Sequence, residues 1–118
     1  MEPLEQVASD LTLTADEYST TTNLLNAAKL LAQEAGFVLD GPAQLGLVVH
    51  LASLIRRLAK GELILGIDTA VLNEVPRDCM DMAARLLQPL YDKTNQLVDP
   101  TEVGLVALHF AAARERVS

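Results

Sequence analysis

The sequence contains no tryptophan, one cysteine and few basic residues, and these shortages exclude several classes of protein. Aromatic residues make up 3% of the chain, as two tyrosines and two phenylalanines. Lysine and arginine number 9 against 16 acidic residues, which gives a formal net charge of −7. Nucleic-acid binding needs a basic surface and often aromatic platforms for base stacking. We therefore expect no direct nucleic-acid partner.

The single cysteine and the absence of long apolar runs limit the chain further. Cys79 has no second cysteine with which to pair, so we interpret it as a buried structural thiol. The first residues carry neither the basic segment nor the apolar run of a signal peptide. The most apolar stretch, residues 38–55, is interrupted by polar side chains and is no membrane span. We expect a soluble, cytoplasmic protein with no membrane partner.

Leucine, alanine and valine are the main hydrophobic residues of the sequence, and their helical spacing predicts an all-α domain. Half of the residues are hydrophobic, and their period of three to four is typical of amphipathic helices. We interpret residues 1–11 as an N-terminal tail, with a short lead-in helix left open, and residues 12–118 as one compact helical domain. Five helices are predicted, over about residues 14–36, 42–61, 68–75, 77–95 and 99–116.

Capping residues define the ends of these helices. Thr14 followed by Glu17 is a capping box, and Asp40 and Asp99 each precede a proline in a first helical turn. The glycines at positions 36 and 61 predict helix ends. Residues 62–65 are predicted to be an extended connector, and Pro89 predicts a kink or register break in the fourth helix.

The two histidines, His50 and His109, are the candidate functional residues. His50 shares a helix face with Gly46 and Arg57, and His109 shares one with Glu102 and Arg116. A neutral imidazole can accept a phosphoryl group, small neighbours admit a donor protein, and an arginine can pair with the resulting dianion. The alternative from spacing alone is that both histidines are hydrogen-bonded core residues.

Other chemistry has less support. A metal site needs three or four ligands, and neither histidine has an acid or cysteine one helical turn away. An acid–base pair of Glu102 and His109 is a further hypothesis, but these residues lie seven apart, about 10 Å along a helix. We expect neither a metal, nor a cofactor, nor enzymatic activity.

Two segments resemble the signatures of the PTS regulation domain family. HLASLIRRLAKG at residues 50–61 resembles the first, in which a histidine is followed by apolar positions, an arginine seven residues later and a glycine. EVGLVALHF at residues 102–110 resembles the second, an acid, an apolar residue and a glycine that lead to Leu-His. The two histidines lie 59 positions apart (109 − 50), which also suits the family. The resemblance extends over roughly residues 14–116.

The resemblance implies a five-helix bundle that pairs as a homodimer and regulates transcription, as in antiterminators. It implies that His50 and His109 are phosphoacceptors, with Arg57, Arg116 and Glu102 as pairing or supporting residues. The implied partners are the phosphocarrier or enzyme II proteins of the sugar phosphotransferase system, together with an output protein that the sequence does not identify. The sequence predicts one stand-alone copy of this domain.

An interaction scaffold that has lost phosphoryl acceptance is the alternative within the same fold. Where the family usually has an acid before the first histidine, this chain has Val49, and Thr101 stands where an acid usually precedes the second signature.

Overall fold

Helices make up most of the described chain, which comprises residues 3–62 and 69–117 of a computed structural model. The predicted all-α fold is confirmed: the five expected helices are present as α2 to α6, and a short helix α1 precedes them. Residues 63–68, with most of the predicted connector and the expected N-cap Asp68, lie outside the described residues. The helices are α1 (Pro3–Leu11), α2 (Ala15–Glu34), α3 (Gly41–Lys60), α4 (Thr69–Asn73), α5 (Arg77–Thr94) and α6 (Pro100–Val117).

The predicted caps begin α2, α3 and α6. The Thr14 hydroxyl accepts a hydrogen bond from the Glu17 amide at 3.1 Å, and the Glu17 carboxylate accepts one from the Thr14 amide at 2.9 Å. Asp40 accepts from the amide of Ala43 at 2.8 Å, and Asp99 accepts from the amide of Thr101 at 2.9 Å. These bonds satisfy amides that have no carbonyl partner in the first turn of a helix.

Residues with a left-handed backbone follow four of the helices, beginning with Thr12 (φ 54°) after α1. Gly36 (φ 90°) and Gly61 (φ 70°) terminate α2 and α3 as predicted, and Asn95 (φ 56°) ends α5. Helix α5 is one helix from Arg77 to Thr94 with Pro89 inside it.

Helix α1 occupies the segment for which the sequence left a tail or a lead-in helix open. Its Val7 is buried, and α1 packs on α3. Arg56 of α3 holds the end of α1 in place, because its guanidinium donates to the carbonyls of Leu11 at 2.7 Å and Thr12 at 3.1 Å. The same guanidinium donates to Glu17 at 3.0 Å, which ties the start of α2 to this junction.

The core is aliphatic and lies between α2, α3, α5 and α6. Phe37 and Phe110 add an edge-to-face ring contact, with centroids 6.5 Å apart. The largest completely buried side chains are those of Tyr91, Phe110, Leu47, Leu51, Leu54 and Leu87. Cys79 is buried among them, as predicted, and burial raises the pKa of its thiol. None of the described helices is long and apolar enough to cross a lipid bilayer.

Candidate functional site

Helices α3 and α6 run antiparallel and carry the two histidines at the middle of their contact. Near one end, Arg57 of α3 pairs with Glu102 of α6. At the other end, Arg116 of α6 pairs with Asp40, the N-cap of α3. Between these two ion pairs, the rings of His50 and His109 lie with centroids 5.7 Å apart and planes inclined by 59°. The two segments that resemble one family's signatures therefore form a single site.

His50 contacts a carboxylate from the other helix. Its Nε2 lies 3.2 Å from Oε1 of Glu102, and its side chain is 12% exposed. This contact is not an aligned hydrogen bond, and Nε2 has no aligned partner within the described residues. Glu102 is the acid of the second signature, and His50 is the histidine of the first. The contact therefore joins the two signatures.

Arg57 holds Glu102 by two parallel hydrogen bonds. Its Nε donates to Oε2 at 3.0 Å, and its Nη2 donates to Oε1 at 3.0 Å. This two-point geometry is the strong form of an arginine–carboxylate pair. Arg57 lies in the last turn of α3 and Glu102 in the first turn of α6, where the helix dipoles favour their respective charges.

Glu102 is ionised although it is almost completely buried, with 2% of its surface exposed. Burial opposes the charge, but interactions with His50 and Arg57 outweigh it and hold the pKa of Glu102 below its usual value. A buried carboxylate of this kind depends on its cation, because removal of the partner leaves a charge away from water.

His109 lies in a different environment. Burial, together with the electrostatic effect of the nearby His50 ring, lowers the pKa of His109. The His109 imidazole is therefore neutral at pH 7. Its ring lies close to the backbone of α3, since a Cβ at Gly46 would stand 3.3 Å from Cε1 and 3.4 Å from Nδ1 of His109. The sequence assigned Gly46 to the face of His50; in the structure its small size makes room for the other histidine.

The glycine of the second signature also has a packing role. A Cβ at Gly104 would stand 2.7 Å from Cδ2 of Leu72, a distance that real Cβ contacts do not allow. Gly104 therefore lets α4 approach α6 closely. One turn further along α6, Ala107 is buried in the core.

Arg116 binds an acid instead of lying free beside His109. Its Nη2 donates to Oδ1 of Asp40 at 2.7 Å and its Nε donates to Oδ2 at 3.2 Å. This pair is partly exposed, and it lowers the pKa of Asp40. The supporting role of Arg116 towards a phosphoryl group on His109 stays a prediction.

Sequence reasoning did not single out Tyr91, a buried tyrosine that interacts electrostatically with Glu102. Its side chain is 1% exposed, and its hydroxyl makes no aligned hydrogen bond within the described residues. Burial raises the pKa of Tyr91 to about 12, and the charge of Glu102 adds to this rise. A tyrosine on an apolar helix face is indistinguishable from an ordinary core aromatic, so no sequence signal separates it.

The described residues contain no group of three histidine, cysteine or acidic side chains that could hold a metal ion. The centre of the site consists of two imidazoles, one buried carboxylate and one guanidinium.

Comparison with known proteins agrees with the resemblance of the two signature segments. A family model described as the PRD domain matches residues 25–113. A PRD-containing transcription regulator from Lactobacillus casei, known from its crystal structure, is similar in fold with a TM-score of 0.77. The two sequences are 22% identical, and the match covers 95% of each chain. No curated protein matches.

Proposed function

The chain belongs to the PRD domain family, and from this premise we propose that it is a regulatory domain of the sugar phosphotransferase system that accepts phosphoryl groups on His50, His109 or both. The observation that carries the proposal is the meeting of both signature histidines, 5.7 Å apart, beside a buried carboxylate and an arginine. Two histidines that served only to fill the core would not require a buried carboxylate and an arginine beside them.

The proposed chemistry is transfer between imidazoles. The lone pair of a neutral acceptor nitrogen attacks the phosphorus of a donor phosphohistidine, the donor P–N bond breaks, and the donor ring leaves with its electron pair and takes up a proton. An acceptor must be neutral for this attack. The lowered pKa of His109 favours the neutral ring.

Arg57 and Glu102 convert the transferred charge into a structural signal. A phosphoryl group on His50 brings a dianion next to the Glu102 carboxylate, which lies 3.2 Å from the unmodified ring. The dianion repels Glu102 and attracts Arg57, so the pair that joins α3 to α6 must rearrange. We propose that this rearrangement shifts a homodimer between two arrangements and thereby controls a transcription-related output partner in the cytoplasm.

Val49 supports the alternative, a dimeric interaction scaffold without phosphoryl acceptance. Its side chain is 43% exposed, so it places an apolar group on the surface where the family usually has an acid. An acid nevertheless lies beside His50, because Glu102 reaches it from α6. This contact favours the acceptor over the scaffold.

The test is phosphorylation by the donor proteins of the system. The chain is incubated with the phosphocarrier, its kinase and phosphoenolpyruvate, and intact mass is read at neutral pH before and after brief acid treatment. The wild-type chain should gain an acid-labile phosphoryl group, and the double variant His50→Ala/His109→Ala should gain none. No gain with any phosphotransferase donor contradicts the proposal. If both single alanine variants also keep dimerisation and partner binding unchanged, the scaffold is the better account.

A further inference from the structure

Two buried side-chain polar atoms in residues 3–62 and 69–117 make no aligned hydrogen bond, and both belong to residues that interact electrostatically with Glu102. One is Nε2 of His50, which is 3.2 Å from the carboxylate but not aligned with it. The other is the hydroxyl of Tyr91. Buried polar groups in native proteins are nearly always paired. Two exceptions around one carboxylate indicate that the carboxylate has a second arrangement available.

The position of Tyr91 fits this interpretation. It lies in the last turn of α5, close to the point where α6 begins with Glu102 in its first turn. The connection between α5 and α6 is held against the end of α3, because the side-chain amide of Gln96 donates to the Leu58 carbonyl at 3.0 Å. Arg57 is the neighbour of Leu58, so the last turns of α3 and α5 and the first turn of α6 converge on one carboxylate.

In the present arrangement the Tyr91 hydroxyl interacts with the backbone amide of Asp99 but donates no aligned hydrogen bond, while Arg57 binds both oxygens of Glu102. A carboxylate offers about four acceptor positions. If Arg57 leaves, Glu102 becomes a buried charge without a cation, and it needs other donors to remain ionised. The hydroxyl of Tyr91 is a donor that requires no new burial and gives up no existing bond.

We propose that Tyr91 is a positioning residue of the phosphoacceptor site, whose hydroxyl becomes the hydrogen-bond donor to Glu102 when Arg57 turns from Glu102 to a phosphoryl group on a histidine. The inference rests on the proposed function. It assigns to one buried tyrosine a role that is needed only in the phosphorylated state. In the unphosphorylated fold, removal of the hydroxyl costs only its interaction with the Asp99 amide.

The experiment compares Tyr91→Phe with the wild-type chain, using phosphoramidate as a small donor that needs no protein recognition. The acceptor nitrogen attacks phosphorus, the P–N bond of phosphoramidate breaks, and ammonia leaves with a proton. Before reaction, Tyr91→Phe should keep or slightly raise the melting temperature. At equal donor concentration, its ratio of phosphorylated to unmodified chain should fall by about tenfold, as expected for loss of a hydrogen bond to a charged group. Tyr18→Phe, a change of the exposed tyrosine on α2, is the matched control and should leave both quantities unchanged.

A second comparison separates positioning from simple packing. In a Glu102→Gln background the group to be stabilised carries no charge, so Tyr91→Phe should change the phosphorylated ratio far less than in the wild-type chain. Equal ratios for wild type and Tyr91→Phe overturn the role of Tyr91 while the proposed function stands. A tenfold loss that persists in the Glu102→Gln background also overturns it. Failure of the wild-type chain to take up any phosphoryl group, from phosphoramidate or from the phosphocarrier, contradicts the proposed function and this inference together.

Discussion

The imidazole of His109 lies against the backbone of α3 at Gly46, where an added Cβ would stand 3.3 Å from the ring carbon Cε1. The two residues belong to different helices and are 63 positions apart in the chain (109 − 46). Their contact sets how near the His109 ring comes to the ring of His50, and it makes Gly46 part of the site although glycine has no side chain to contribute.

Gly46→Ala should therefore alter His109 more than it alters the fold. Alanine in a helix interior is favoured over glycine by about 1 kcal/mol, but here the new methyl group pushes on a partly buried ring. We expect the substitution to raise the free energy of unfolding by less in the wild-type chain than in a His109→Ala chain. Urea denaturation of the wild-type chain, the two single variants and the double variant measures this coupling. Equal gains in both backgrounds would show that the ring is not held by the glycine.

Arg57→Ala should destabilise the chain, because Glu102 then becomes a buried carboxylate without its guanidinium. Loss of one partner of a buried ion pair costs about 3–5 kcal/mol, and the 21% exposure of the Arg57 side chain places the expected loss at the lower end. Arg57→Lys keeps the charge but not the two-point geometry, so it should recover part of the loss. The exposed Arg85 of α5 provides the control, and Arg85→Ala should change the unfolding free energy by less than about 0.5 kcal/mol. If Arg57→Ala also lowered the unfolding free energy by less than about 0.5 kcal/mol, Glu102 would not depend on Arg57 for its burial.

Stability should fall on mild acidification because of His109. The pKa of His109 lies below the ordinary value of 6.5 in the folded chain, mainly because of burial, whereas the unfolded chain has the ordinary value. As the pH falls through 6.5 and towards the folded pKa, the unfolded state binds a proton that the folded state does not. The free energy of unfolding therefore decreases over this interval and is at its full value above it.

The measurement is urea denaturation at pH 7.5 and pH 5.5 for the wild-type chain and for His109→Asn. The wild-type chain should lose more stability between the two pH values than the variant does. An equal loss in both chains would mean that His109 is not the group responsible.

Gly104→Ala should be more damaging than the corresponding change at Gly46. The added Cβ would stand 2.7 Å from Cδ2 and 3.0 Å from Cδ1 of Leu72, so either the Leu72 side chain or α4 itself must shift. Overpacking of this kind costs about 1–3 kcal/mol. Thermal denaturation of Gly104→Ala alone and with Leu72→Ala checks the cause: the second substitution should remove most of the additional loss. If it does not, the glycine is required for a reason other than the approach of α4.

The helix boundaries follow from local chemistry, and the sequence therefore predicts them well. Thr14, Asp40 and Asp99 cap helices through bonds to amides two or three residues away, and Gly61 adopts the left-handed backbone that a glycine permits. These interactions depend on neighbours in the chain, so a pattern of residue types is sufficient to locate them.

The site depends on contacts between helices, and there the sequence indicates residues without their partners. The sequence places Arg57 and Arg116 on the faces of the histidines of their own helices, but in the structure each binds an acid at the start of the other helix. These acids are Glu102 and Asp40. An arginine side chain long enough to reach along its own helix also reaches across to the next one. Only the antiparallel packing of α3 on α6 decides between the two possibilities.

The measurement that tests the central claim most directly is the location of the phosphoryl group. After reaction with the phosphocarrier, its kinase and phosphoenolpyruvate, the chain is digested at neutral pH and its peptides are analysed by fragmentation that preserves phosphohistidine. The account predicts the phosphoryl group on the peptide that contains His50, on the one that contains His109, or on both, and on no other residue. A phosphoryl group located elsewhere, or a chain that remains unmodified under conditions in which the phosphocarrier is fully charged, would contradict it.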